Sequence, residues 1–198
     1  MNPQNDMITN VMKACGHVMA RLCQLRPIIT QMESIEEKKM CINAAVISIM
    51  RYCAPLYYGQ TENVVSRFHT TIMTCYRSIY AKPTYKMRCE KICKNIKMPM
   101  PKELLAKDSV KLLHKIIDNR KPLQVNQLLK YPMRCLRSTM LTLRHQPKSE
   151  RTKRGLIYSG LITMDKIPHK IRSLPNETFK GMISRYDFNI LSPDEQRN

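Results

Sequence analysis

Eight cysteines, five histidines and six aspartates are the groups in these 198 residues that could attack, transfer protons or hold metal. The cysteines are Cys15, Cys23, Cys41, Cys53, Cys75, Cys89, Cys93 and Cys135. Only Cys89-x3-Cys93 is a close pair, and with His69 and His114 it could be imagined on zinc. A second tight Cys/His pair at ligand spacing is missing, so no metal site is expected. His17, His69, His114, His145 and His169 each stand alone. Asp6, Asp108, Asp118, Asp165, Asp187 and Asp194 include no adjacent or i, i+2 pair that could seed a two-metal carboxylate site. HExxH, GxSxG, GxGxxG and GxxxxGK[ST] are all absent. No catalytic residue and no cofactor is expected; an enzyme built from scattered Cys and His would need partners that meet only in the fold.

Charge is the stronger signal. Lys+Arg number 34 against 15 Asp+Glu, a formal net charge of +19. Such an excess points to a polyanionic partner, nucleic acid or an anionic membrane. An interfacial membrane helix favours Trp or Phe on its apolar face, and the chain has no Trp and 3 Phe, so nucleic acid is favoured and no membrane partner is expected. The longest apolar stretch, Ala44 to Met50, has 7 residues and includes Ser48; a spanning helix needs about 20. The first residues lack the basic and apolar regions of a secretory signal. The expectation is an intracellular protein, nuclear or cytoplasmic and not secreted, with free thiols.

Phosphate gripping by this chain would fall to cations spaced along helical faces. The candidates are Lys13, Arg21 and Arg26 on a first helix and Arg67 and Arg77 on a third. Arg88, Lys91 and Lys94, with Lys86 and Lys97, lie on a fourth. A second basic surface runs through Arg134, Arg137, Arg144, Arg151, Lys153 and Arg154, opposed only by Glu150.

The elements that must carry these cations read as helices. Ile8, Val11, Met12, Cys15, Val18, Met19 and Leu22 form an amphipathic stripe that Arg26-Pro27 should end. Ser34-Ile35-Glu36-Glu37 is a capping box, with the Ser34 oxygen taking the N–H three residues on. The run from Met40 to Tyr52 is apolar nearly all round in its second half and should be buried there. Thr61 can cap a third helix with the stripe Val65, Phe68, Ile72, Met73, Tyr76 and Ile79. Met87 to Ile96 is a short basic helix. Pro101 opens a fifth, and Leu123, Val125, Leu128 and Leu129 mark a short sixth. Met140, Leu141 and Leu143 could form a strand, and Asn176 can cap a last helix carrying Phe179, Met182 and Ile183. Met12, Met19, Met40, Met50 and Met73 read as core filler, as do Tyr57 and Tyr58. The fold class is mainly α: a bundle of about five to seven helices with an irregular basic C-terminal extension. The expected organisation is a helical domain at residues 5–131, a basic linker or short strand at 132–155, a small helical segment at 156–191 and a polar tail at 192–198.

Several blocks together resemble a known family. Lys13-Ala14 followed by LCQLRP (Leu22 to Pro27) is similar to the "KA…L..L..LRP" stretch after the polymerase palm of LINE-like, non-LTR retrotransposon reverse transcriptases. Lys38 to Ile47 and Arg51 to Gly59 resemble "RKLLYNALI…LDYCSPVWG"; Tyr52, Cys53, Pro55 and Gly59 match, and Tyr58 stands where Trp is usual. Val65 to Ile79 is similar to "LQ…LNRALRLI", and Leu112 to Leu129 to "LLYKILNGLAPPYLSDLL". Lys166-Ile167-Pro168, Ile171-Arg172 and Thr178-Phe179-Lys180 resemble "WNSLPxxIR…SxxxFKxxLK", with DKIP (Asp165 to Pro168) in place of WNxLP. The resemblance implies the thumb and post-thumb region of such an RNA-directed DNA polymerase. Its partners would be template–primer nucleic acid and the fingers and palm that carry an (F/Y)xDD motif. No such motif occurs in these residues. The other reading is a freestanding basic helical adaptor that binds nucleic acid or an acidic protein.

Overall fold

The computed structural model describes residues 3–52, 54–80, 87–130, 142–143, 148–149, 153 and 155–186. Among them the protein is mainly helical, with short helical pieces linking the longer helices. It divides into two compact units, residues 1–105 and 106–198. The division falls inside a helix rather than in the basic stretch after Pro132.

In the first unit, helix α1 spans Pro3–Gln31. Its buried positions are Val11, Val18, Leu22 and Ile29, a narrower stripe than expected. Helix α1 does not stop at Arg26-Pro27; Pro27 lies within it. Proline removes one helical donor and disfavours the preceding turn. Two features offset this. Ile29 is only 2% exposed, so ending at Pro27 would forfeit a core side chain. The Thr30 hydroxyl faces the Arg26 and Pro27 carbonyls, 3.0 and 2.8 Å away.

Helix α2 (Ile35–Ile42) is capped by Ser34, whose Oγ accepts from the Glu36 N–H at 3.2 Å, two residues on and not three. A π-helical turn, Asn43–Ile47, leads into α3 (Ser48–Tyr52) and α4 (Ala54–Tyr57). Val46 and Ile47 in this turn are both buried, at 0% and 1% exposure. In the half of this run expected to be buried, Val46, Ile47 and Met50 are inside, but Ser48, Arg51 and Tyr52 are exposed, Tyr52 at 89%. Gly59, at φ 78°, makes the left-handed turn that follows α4.

Helix α5 (Glu62–Ser78) is the centre of this unit, packed on α1 and on α6 (Cys89–Ile96). Val64, Phe68, Ile72, Met73, Cys75 and Tyr76 are buried, with Val65 only half-buried. Thr61 caps through its backbone carbonyl, which accepts from Val64 and Val65. Tyr57 is buried and tilts against Phe68 at 6.1 Å, and Tyr58 is half-buried. Tyr76 donates its hydroxyl to the Pro99 carbonyl at 3.2 Å. Met50 and Met73 are core, but Met12, Met19 and Met40 are exposed. Periodicity places Met12 and Met19 on the flank of α1 beside the buried stripe. Lys97 ends α6 in the left-handed region at φ 53°; Met98 N–H reaches Cys93 O and Lys97 N–H reaches Lys94 O, a Schellman closure.

Helix α7 (Pro101–Asn119) opens with proline at its first position. In the second unit it presents Val110, Leu113 and Ile116 to the interior. Gly160 of α9 (Leu156–Asp165) lies so close that a Cβ there would stand 3.1 Å from Leu113 Cδ2. Helix α8 (Leu123–Gln127) ends before Leu129. Leu129 and Lys130 instead pair antiparallel with Leu143 and Thr142, because Leu129 is fully buried. The strand expected around Leu143 is therefore present at Thr142–Leu143; Met140 and Leu141 lie outside the described residues.

Helices α10 (His169–Arg172) and α11 (Asn176–Arg185) complete the described chain. Phe179 and Ile183 are buried, whereas Met182 is exposed. Asn176 is not the cap of α11. Pro175 holds that position, Asn176 is the first helical residue, and its Oδ1 is buried without a partner.

Candidate nucleic-acid interface

The cations expected to grip phosphate divide into three groups. Lys13, Arg21 and Arg26 are exposed on α1. Lys13 lies opposite the buried Val11–Val18–Leu22 stripe, whereas Arg21 and Arg26 flank that stripe on either side. Arg21 Nη1 donates to Gln24 Oε1 at 3.3 Å. Arg67 is exposed on α5 beside a groove of about 490 Å³ lined also by Ile8, Val11, Met12, Asn63 and Val64. Arg88, Lys91 and Lys94 are exposed on α6, and Lys97 is exposed at its end. Burial of Ile92, Cys93 and Ile96 on the opposite side turns these cations outward. Among the described residues of the first unit, α6 and its ends carry four exposed cations within ten residues.

Arg77 behaves differently from its expectation as a surface grip. It is half-buried, and Nη2 lies 3.8 Å from Cys89 Sγ. Its Nε is buried with no partner. Arg77 thus ties α5 to α6 instead of standing free. In the second basic stretch, Lys153 is exposed, and its backbone N–H reaches the Ser149 carbonyl at 3.1 Å. Arg134, Arg137, Arg144, Arg151 and Arg154 lie outside the described residues, as does Lys86.

His69 reports the local field. Burial lowers its pKa most, and the positive charges of Lys102 and Arg77 lower it further. Lys102 was not among the expected residues. Its signal was present in the sequence, since a cation in the first turn opposes the helix dipole.

Burial disfavours the ionised forms of two cysteines and one tyrosine in this unit. Burial pushes the Cys75 thiol up to about 12 and the Cys93 thiol to about 11. Burial raises Tyr76 as well. Cys15, Cys23, Cys41, Cys75, Cys89 and Cys93 are free thiols. No group of three or more His, Cys, Asp or Glu that could hold a metal occurs among the described residues.

In the second unit several polar side chains pack internally. The His114 ring stacks on Phe179 at 3.7 Å, and its Nε2 lies 3.1 Å from the Arg172 carbonyl. Arg172 Nη1 pairs with Asp165 Oδ1 at 3.2 Å. Burial still raises the Asp165 pKa, outweighing the opposing effect of Arg172. Lys107, 7% exposed, donates to the Ser184 carbonyl in the last turn of α11 at 3.1 Å, and Lys111 reaches Ser184 Oγ at 2.7 Å. These lysines complement the negative end of α11. No helix among the described residues is long and apolar enough to cross a membrane.

Comparison of the chain with protein-family models, with curated proteins and with solved structures gives no match.

Proposed function

We propose that this chain is the thumb-like, nucleic-acid-binding part of a LINE-type RNA-directed DNA polymerase. In this reading it grips the template–primer backbone, lacks the catalytic palm and does not polymerise by itself. The observation that carries the reading is the outward basic face of α6, where Arg88, Lys91, Lys94 and Lys97 are all exposed on a helix anchored by Ile92, Cys93 and Ile96. Lys13, Arg21 and Arg67 add further exposed cations on α1 and α5. Side chains spaced this way contact phosphates, which position a duplex without reading its sequence. The net charge of +19 supplies the long-range attraction. The order of the resembling sequence blocks supplies the polymerase context.

The test is binding of the full chain to two unrelated DNA duplexes and to an RNA–DNA hybrid of the same length. Equal affinity for the two DNA duplexes, without nucleotide incorporation, is the expected result. Binding to an acidic protein but to none of the duplexes would make it a freestanding adaptor. Translation of the genomic sequence upstream of Met1 tests the polymerase context separately: an (F/Y)xDD palm in frame supports it, and unrelated sequence with its own promoter removes it.

A further inference from the structure

Two sulfur side chains of the first unit meet where α5 packs on α6, and a third lies one helical turn away on α6. The Cys93 thiol meets the Met73 thioether with Sγ–Sδ at 3.8 Å. Cys89 precedes Cys93 by four residues, so both project from neighbouring positions on one side of α6. Charge on Cys89 is also felt at the Cys93 thiol. The Arg77 guanidinium lies 3.8 Å from Cys89 Sγ.

We propose that Cys89, Cys93 and Met73 form a binding site for one soft monovalent cation, Cu(I). Thiolate and thioether sulfur select this ion over harder divalent metals. Metal–sulfur bonds of about 2.3 Å at tetrahedral to trigonal angles set two sulfurs ~3.8–4.0 Å apart. The observed Cys93–Met73 separation already meets that requirement. Structural zinc takes four ligands from Cys, His and carboxylates, and a thioether with two thiols does not supply them. The charge also balances. Two thiolates around Cu(I) carry one net negative charge, and the Arg77 guanidinium stands beside it. Its Nε is buried and unpartnered. Cys89 is half-buried, which gives the ion a way in, while Cys93 and Met73 close the inner side. On loading, each thiol releases its proton to solvent as its sulfur–copper bond forms. Supplied as Cu(I), the metal does not change oxidation state.

The experiment is anaerobic titration of the full chain with Cu(I) against a chromophoric Cu(I) chelator, with Zn(II) titrated in parallel. One tightly held equivalent of Cu(I), with an X-ray absorption spectrum of sulfur ligands only, is expected. Cys89→Ser should abolish that equivalent. Met73→Leu keeps the core volume and should weaken it by at least about tenfold. Cys23→Ser, at an exposed thiol on α1, should leave it unchanged. Circular dichroism melts confirm that each variant is folded. Wild-type Cu(I) affinity in folded Cys89→Ser and Met73→Leu would overturn the site, as would a tight equivalent that depends on Cys23 or one for which Zn(II) outcompetes Cu(I).

Discussion

The two compact units are held together by different physics. Residues 1–105 enclose a core of aliphatic, aromatic and sulfur side chains around α5; the cations of α1 and α6 face outward, while Lys38 of α2, at 8% exposure, and half-buried Arg77 of α5 are drawn in. In residues 106–198, cations and an imidazole are drawn inward: Lys107 and His114 are buried, at 7% and 5% exposure. Their partners are carbonyls at the ends of short helices, Ser184 and Arg172. A lysine or histidine in this basic chain is therefore not by itself a nucleic-acid contact. Where short helices expose many unpaired carbonyls, cations satisfy them. On α1 and α6, whose other sides are buried, Lys13, Arg21, Arg26, Lys91 and Lys94 face solvent.

Four substitutions or conditions break or sharpen this contrast, from the largest effect downward. Phe68→Ala empties a fully buried site between α5 and Tyr57 and should cost about 3–5 kcal/mol, read from the urea midpoint. In the second unit, Lys107→Met keeps the aliphatic stem but removes the bond to Ser184 O. A loss of about 1.5–3 kcal/mol is expected; an unchanged midpoint would mean that apolar packing suffices there too.

The third prediction concerns pH. The folded pKa of His69 lies below its ordinary value of 6.5, so the folded state resists a proton that the unfolded state accepts. Its contribution is present above 6.5 and is lost as pH falls through that value toward the folded pKa. His69→Gln should flatten this part of the stability profile in thermal melts at stepped pH. The smallest effect is a gain: Lys97→Gly relieves a left-handed residue at φ 53° and should stabilise by up to about 1 kcal/mol in the same melts.

Legibility in the sequence follows the same contrast. Val11, Val18, Leu22, Phe68, Ile72, Leu113 and Phe179 are readable because helical periodicity alone puts them on buried faces. Pro27 is misread because local backbone cost is outweighed by burial of Ile29, a residue beyond it. Met12, Met19 and Met40 are misread because an apolar residue at the margin of a stripe is placed only by the neighbouring helix. The π turn at Asn43–Ile47 has no pattern of its own within an all-apolar run. Among the candidate cations, α6 is legible because its polar and apolar faces separate cleanly. Arg77 is not, since only the packing of α5 on α6 brings Cys89 against it. Lys107 and Lys111 look like any exposed helical lysines until the end of α11 supplies their acceptors.

The most direct measurement is the salt dependence of duplex DNA binding by the wild-type chain and by the variant Arg88→Gln/Lys91→Gln/Lys94→Gln. These side chains are exposed, so the bundle should stay folded. A steep log–log slope is expected for the wild type, falling by about 0.9 for each removed cation that had neutralised a phosphate, equally on unrelated sequences. A flat wild-type slope, or an unchanged slope in the triple variant, would contradict a phosphate-gripping face on α6.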